Sequence, residues 1–308
     1  MRKVVFFLVP RLHLLDLAGP AQVFSTANDL GYRHDLYYVG ETDEIGTAQG
    51  VPVKARRDWP ELGPADLIVV PGWRSPRLAP VPPISAETKR VLRDHHAGGG
   101  SVASVCSGAD ALGAAGLLDG RRYTTHHDLT EELAARYPRA SIVRDVLYVV
   151  DDRVITSAGI ASGIDLALHL VAVECGAEAA AKVAREMVVY ARRNGDELQE
   201  SAMLRHRDHL SDLAHRIQDV IDGRYTDRLP LTDLARGAGV SERTLTRVFT
   251  SATGLTPLRY QQLLRLERAE HLIGHGATVE AAARAVGFED ARMLRRLRSR
   301  APEPVVVH

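Results

Sequence analysis

Apolar residues follow two different patterns along this chain, and the change falls about two-thirds of the way along. In the first part, short uninterrupted apolar runs occupy residues 4–9, 36–39 and 67–70, SVASV at 101–105 reads as a further strand, and segments of helical spacing separate them. A continuous apolar run is what a parallel strand buried on both faces requires. Alternation of such runs with helical segments argues for an α/β sandwich around a mostly parallel sheet. Helices are expected at 20–30, 85–96, 109–116 and across the Ala-rich 163–193. Further strands are expected near 122–125, 146–150 and 153–156. Beyond 210 the pattern is helical throughout, opening with Leu210, Leu213, Ile217, Val220 and Ile221 at helical spacing. The polar stretch 193–209, broken at Asn194-Gly195, reads as the linker between a domain at 1–192 and a second at 210–308.

Residues 231–253 read as helix, tight turn, helix. Leu231, Leu234 and Ala235 give one apolar face, and Gly239 supplies a turn at which positive φ is cheap. Ser241 caps the second helix, with Thr244 one turn inside it. Leu245, Val248 and Phe249 bury that helix, while Arg243, Thr246 and Arg247 point outward. This is a helix-turn-helix pattern, whose second helix enters a DNA major groove. Aligning Gly239 with Gly287 sets VEAAARAVGFED under LTDLARGAGVSE at an offset of 48 residues, so the unit is repeated. Between the copies, Gly254 ends one helix and Thr256-Pro257 starts a long one, lined by Leu258, Leu263, Leu266 and Leu272.

Composition adds bounds. At 308 residues, 45% apolar and 25% charged, the chain has the make-up of a two-domain soluble protein. The net charge is zero but uneven: +4 over residues 205–308 and −4 over the rest. That bias has the sign nucleic-acid contact needs. Two cysteines make no disulfide framework, which points to a reducing cytoplasm. The apolar N-terminus is interrupted by Pro10, Arg11, His13 and Asp16, so it reads as a buried strand and loop, and no apolar run is long enough to span a bilayer.

The chemistry-bearing residue of the first domain is Cys106, between the strand SVASV and the small residues SGADALGAAG. A side chain on a sharp strand-to-helix turn stands exposed above the sheet, and the helix N-terminus is expected to favour thiolate. A buried, inert cysteine is the alternative. His126, His127 and Asp128 form a polar run after a strand. Asp128 is expected to cap the following helix, with Glu131 completing a capping box. No second ligand cluster of suitable spacing accompanies them, so no metal is expected. The loop 158–165 reads as a pocket wall, because its glycines let backbone approach closely.

Several motifs together carry a resemblance. LDLAGP at 15–20, VVPG at 69–72, ASVCSGA at 103–109 and LLDGRRYTTHH at 117–127 resemble the ThiJ/PfpI family, over roughly residues 1–192. The resemblance implies a flavodoxin-like, class I glutamine amidotransferase-like fold. It implies a cysteine at the elbow, Cys106, an acidic partner from the first strand–helix loop, Asp16, the backbone of Gly72 by an anion pocket, and His126 near it. Family proteases place a histidine directly after the cysteine. This chain has Ser107 there, so no neighbouring Cys–His pair exists. Asp16 with Cys106 is closer to the isocyanide hydratase branch, which implies a thiolate nucleophile and a carboxyl that shuttles the proton; a carboxyl beside a thiol is expected to share its proton, so that the pair titrates as a unit.

GVSERTLTRVF, TGLTPLRY and RLERA resemble the AraC/XylS regulators over about 210–300. The joined pair of domains resembles the GlxA-like subgroup, which implies a homodimeric regulator. Its first domain would sense a small metabolite, often nitrogen-containing, and its second would bind operator DNA. Carry-over makes Arg243, Thr246 and Arg247 groove-facing. In the second unit Arg298 stands where the family has an aromatic core residue, and the chain runs out at 301–308. Met293, Leu294 and Leu297 are expected to form its apolar stripe. Arg292, Arg295 and Arg296 are expected to meet phosphates more than bases. Two alternatives stay open: an isocyanide hydratase-like enzyme using Cys106 and Asp16, and a redox or electrophile sensor through Cys106.

Overall fold

A computed structural model describes residues 1–74, 82–189, 193–196, 199, 206–274 and 276–299. The chain divides into two compact units, 1–199 and 200–308.

The first unit is built on ten strands and six helices among its described residues. In chain order they are β1 (Arg2–Leu8), α1 (Leu14–Asp29), β2 (His34–Gly40), β3 (Glu44–Ile45), β4 (Val53–Lys54), β5 (Leu67–Val70), α2 (Ala86–Ala97), β6 (Ser101–Val105), α3 (Gly108–Ala114), β7 (Arg122–Tyr123), α4 (Thr130–Arg136), β8 (Ser141–Ile142), β9 (Tyr148–Asp151), β10 (Val154–Ser157), α5 (Ser162–Cys175) and α6 (Ala177–Glu186). The main sheet has the order β2-β1-β5-β6-β10-β9. Its pairings are parallel except β10–β9, a hairpin at the edge. From β1 the chain steps to β2 on one side, and from β5 to β6 on the other. Right-handed crossovers therefore put α1 and α2 on opposite faces. Helix α5 packs on α1 and α6, while α2 and α3 pack on β6. The apolar runs are apolar for this reason: Val4, Val5, Phe6, Leu67, Ile68 and Val102 are covered on both sides.

The order reverses between β1 and β5, and in such sheets the carboxyl ends beside that point form a crevice. Four neighbouring parallel strands, β1, β5, β6 and β10, all end there.

Three expectations are corrected. Helix α1 begins at Leu14, so Asp16 lies in its first turn and not in the preceding loop. The Ala-rich segment is two helices, because Gly176 takes φ 92° and breaks it. Asp128 caps nothing: a 3-10 turn, His127–Leu129, intervenes, and His126 Nδ1 accepts the Asp128 N–H instead. Glu131 is taken up by Arg144.

The second unit contains α7 (Asp212–Arg224), α8 (Leu231–Gly237), α9 (Glu242–Thr253), α10 (Pro257–Gly274), α11 (Val279–Ala285) and α12 (Ala291–Arg298). Each turn follows its local chemistry. Ser241, Thr278 and Asp290 cap α9, α11 and α12 through side-chain oxygens. Gly239 and Gly287 take positive φ, 68° and 82°, at equivalent turns, and Gly254 ends α9 in the left-handed region. Two separate cores result. Ile217, Ile221, Leu245, Phe249 and Tyr260 fill one, and Ala269, Ala283, Val286, Leu294 and Leu297 the other.

Helix α10 serves both cores. Tyr260 and Leu264 enter the first, and Leu266 and Ala269 the second. The expected leucine stripe is therefore only partly right, since Leu258 is 64% exposed. Leu210 and Met293 are likewise exposed, and the second stripe reduces to Leu294 and Leu297. Arg265 ties the halves together. Its guanidinium donates to the carbonyls of Tyr225, Thr226, Asp227 and Gly287 and lies over the Phe288 ring.

Gly287 is pressed against this junction: a Cβ there would stand 1.9 Å from the Thr226 carbonyl oxygen, at a φ that L-residues avoid. Gly287→Ala should cost about 1–3 kcal/mol by strain. Chemical denaturation should show the loss, whereas Gly223→Ala, with open space at its Cβ, should show none.

Candidate functional site: a cysteine elbow and a two-headed helix-turn-helix unit

The four strand ends bring the sequence-derived residues together. Cys106 follows β6 with φ 56°, a strained left-handed conformation for a residue with a side chain. Its N–H donates to the Ser157 carbonyl at 2.9 Å and its carbonyl accepts from Thr125 Oγ1 at 3.0 Å, so the elbow is held from both sides. Space for it comes from glycines. A Cβ on Gly72 would lie 2.7 Å from Cys106 Cβ and 2.5 Å from Asp16 Oδ2; one on Gly159 would lie 2.3 Å from Cys106 Cβ. Gly108 must pass the Val70 carbonyl, which its own Cβ would meet at 2.1 Å.

Asp16 is fully buried. Its Oδ1 accepts from the Ile160 N–H at 2.7 Å, while Oδ2 has no hydrogen bond of normal geometry. Burial pushes this carboxyl up to about 6, against the opposing influence of the Ile160 and Gly72 N–H groups and the Cys106 thiol. Burial also pushes the Cys106 thiol well above its usual range. The Asp16 charge adds to that, and the Ser107 N–H acts against it. The expected thiolate is thus reversed. Desolvation and a neighbouring carboxylate oppose the helix N-terminus, so the surroundings of Cys106 disfavour the thiolate.

Ser107 has a structural engagement. Its Oγ accepts from the Trp73 N–H at 2.7 Å and donates to the Trp73 carbonyl at 3.0 Å, pinning the segment after β5. His126 follows Thr125, caps the 3-10 turn and faces the Asp128 carboxylate at 3.6 Å. Sequence reasoning missed Ile160, Trp73 and the role of Gln199. The glycines of 158–165 were the signal for the first, though the backbone they admit approaches Cys106 itself. Gln199 carried no signal, because its partners are distant in sequence. Its Nε2 donates to the carbonyls of Thr125 and Val146, and its Oε1 accepts the His127 N–H.

In the second unit, Ser241 Oγ accepts the Thr244 N–H at 3.1 Å and pairs with Thr244 Oγ1 at 2.9 Å. Arg243 and Arg247 lie one turn apart on α9, exposed, and have no ion-pair partner among the described residues. Thr246, Arg292 and Arg296 line a groove of about 940 Å³ between the two helix-turn-helix units, together with Arg228 and Gln262. Arg295 is instead paired with Glu280, and Arg298 with Glu270 at 2.8 Å. Arg300 and the tail lie outside the described residues.

A parallel sheet with a strained cysteine at its switch-point crevice, joined to a two-headed helix-turn-helix unit, defines a sensor-and-reader class of protein. The chain belongs to the DJ-1/PfpI family, whose model matches residues 2–173, and a helix-turn-helix domain model matches residues 234–301. It is 26% identical over 280 residues to the HTH-type transcriptional regulator GbdR of Pseudomonas aeruginosa, covering 88% of this chain and 74% of that one. It is 34% identical over 173 residues to the isonitrile hydratase of Pseudomonas putida, covering 54% of this chain and 70% of the enzyme. Among solved structures, an AraC family transcriptional regulator from Pseudomonas putida superposes with a TM-score of 0.53 at 25% identity, covering 61% of this chain and all of that one.

The coupled pair makes a pH prediction. A carboxyl whose folded pKa, about 6, exceeds its ordinary value of 3.8 makes folding less favourable above 6 and leaves it unpenalised below 3.8. Asp16→Asn should therefore stabilise the protein by about 1–3 kcal/mol at pH 7. The gain should shrink as pH falls through 6 towards 4. Denaturant midpoints at several pH values would check this; a constant difference would count against it.

Proposed function

We propose that this protein is a transcription regulator whose second unit binds operator DNA and whose first unit senses a small metabolite in the Cys106 crevice. The observation that carries the reading is the pair of capped helix-turn-helix units built on one shared helix, α10, in a chain that matches a full-length regulator along 88% of its length. At 18 residues that helix is about 27 Å long, comparable with the ~34 Å between successive major-groove faces.

In this reading Arg243 and Arg247 contact bases, helped by Thr246, while Ser241 and Thr244 fix the start of α9. Arg292, Arg295 and Arg296 bind phosphates. Arg295 must leave Glu280 to do so, which makes Arg292 and Arg296 the stronger contributors. The functional division is a sensor at 1–192, a connection at 193–209 and a reader at 210–308. The connection is tied down at both ends. Arg193 binds Asp165 with its guanidinium at 2.6 Å, and Arg207 binds Asp219 and Asp222 at 2.6 and 2.7 Å. The reading further includes a cytoplasmic homodimer on paired operator sites. Among the described residues no helix is long and apolar enough to cross a membrane.

Coupling between the crevice and the connection has a physical path. Thr125 holds the Cys106 carbonyl, and Gln199 holds the Thr125 carbonyl at 2.9 Å. A ligand that shifts the elbow therefore shifts the point from which the chain leaves the first unit. Asp16 is the available base and Cys106 the available acid for a polar, nitrogen-containing ligand.

Hydratase chemistry is the second reading, favoured by the Asp16–Cys106 pair and the 34% identity to isonitrile hydratase. The oxidation-sensor reading lacks support, because oxidation follows exposure and thiolate character. Cys106 is 6% exposed, and burial beside Asp16 disfavours its thiolate.

Footprinting on the gene's own upstream region, with and without candidate metabolites, tests the regulator reading; no protected site at low salt would sink it. Arg243→Ala and Arg247→Ala should each cost about 1–3 kcal/mol on the cognate site and relax its sequence preference. Gln199→Ala should leave ligand-free operator affinity intact and reduce the response to ligand. Were that response unchanged, the path through Thr125 would be wrong. Hydration of a test isocyanide that Asp16→Ala and Cys106→Ala both abolish would establish the enzyme instead.

A further inference from the structure

We infer that His34, Glu174 and Cys175 form a binding site for one divalent transition cation of the zinc class, separate from the Cys106 crevice. His34 opens β2 and is in register with Arg2 at the start of β1, whereas Cys106 follows the carboxyl end of β6. The two sites therefore lie at opposite ends of the parallel strands, His34 at the amino end and Cys106 at the carboxyl end. Glu174 and Cys175 are the last two residues of α5, which Gly176 then terminates. One nitrogen, one carboxylate oxygen and one sulfur from these three residues lie within 4.8 Å of one another.

The histidine is the strongest observation. It is 4% exposed and tilted against the Phe24 ring, with centroids 5.1 Å apart. Its backbone is clamped by Asn28, which accepts the His34 N–H and donates to the His34 carbonyl. Nδ1 lies 2.9 Å from the Tyr32 carbonyl, an acceptor only, so Nδ1 carries a proton. That fixes Nε2 as the ring position with a lone pair in the neutral tautomer, the arrangement found behind metal-bound histidines. Nε2 is buried, has no hydrogen bond of normal geometry, and faces Glu174 Oε2 at 3.4 Å. A buried nitrogen held in this way, aimed at a carboxylate and a thiol, is a ligand set awaiting a cation.

The donor set selects the metal. Imidazole, thiolate and carboxylate together suit zinc and its neighbours and do not suit magnesium or calcium. Three protein ligands leave a fourth tetrahedral position for water or a small ligand. The carboxyl end of α5 adds a negative field that favours a cation. Arg2 opposes it: Nη1 holds Glu174 Oε2 at 2.6 Å. The cation must share that carboxylate or displace the guanidinium. Binding converts the Cys175 thiol to thiolate, forms a sulfur–metal bond and releases one proton to solvent. The competing account is a protonated His34 completing an ion-paired triad with Glu174 and Arg2.

Cobalt(II) titration of the full chain separates the two. Our proposal expects one equivalent per chain, with a thiolate-to-cobalt charge-transfer band in the near ultraviolet that zinc bleaches. Cys175→Ser and His34→Gln should each remove the band, and Cys106→Ala should retain it. Arg2→Ala should tighten binding, since a competing charge is gone. Zinc should also raise the melting temperature of the parent chain and not that of Cys175→Ser, a near-isosteric change at a half-buried position. No thiolate band, or a band that survives Cys175→Ser, overturns the site. Binding lost in His127→Ala but kept in His34→Gln would place the cation at His126, His127 and Asp128 and overturn it equally.

Discussion

With φ at 56°, the backbone of Cys106 occupies a region that a side-chain-bearing residue enters only when its surroundings enforce it. The enforcement is visible on every side. Ser157 and Thr125 hold its N–H and carbonyl, Ser107 anchors the neighbouring Trp73 backbone, and Gly72, Gly108 and Gly159 remove the Cβ atoms that would collide. Closeness has an electrostatic consequence. The same packing that aims the thiol at Asp16 strips both of water, so burial raises both groups and each disfavours the charge of the other. A site of this kind responds to whatever alters that balance or the space around it. Thr125 and Gln199 link the elbow by hydrogen bonds to the segment that follows the first domain.

The second unit solves a different problem. Two small helical cores, each too small to stand securely alone, are joined by α10, which buries Tyr260 in one and Ala269 in the other. Arg265 donates four hydrogen bonds to carbonyls from both halves. The relative position of the two reading helices is thereby set by one helix and one guanidinium. The free arginines of α9 face outward from that frame. The second head is different in character: Arg295 and Arg298 are engaged by glutamates, and a shorter apolar stripe holds it.

Much of this was legible from residue order. The strand 67–70 has the expected ends, because an apolar run buried on both faces leaves no ambiguity of period, and the strand 101–105 also ends where expected, with two serines among its small residues. The repeated helix-turn-helix was legible because its glycines and caps sit at fixed local offsets. Misreadings arose where the answer depended on distant chain. Leu258 has helical spacing but no partner, since α10 divides its faces between two cores. The thiolate expectation considered the helix end and not the burial. No local spacing links His34 to Glu174 and Cys175, so residue order alone does not bring them together.

The sequence by itself determined the local events: which runs become strands, where Ser241, Thr278 and Asp290 start helices, where Gly239 and Gly287 turn, and that Cys106 stands at an elbow. These follow from interactions spanning a few residues, which composition and spacing encode directly. Tertiary structure alone decided the protonation of Cys106 and Asp16, the engagement of Ser107 with Trp73, the hold of Gln199 on Thr125, and the meeting of His34 with Glu174 and Cys175. Each of these depends on desolvation or on contact between residues far apart in the chain. Both are properties of the packed molecule, absent until the strand ends converge.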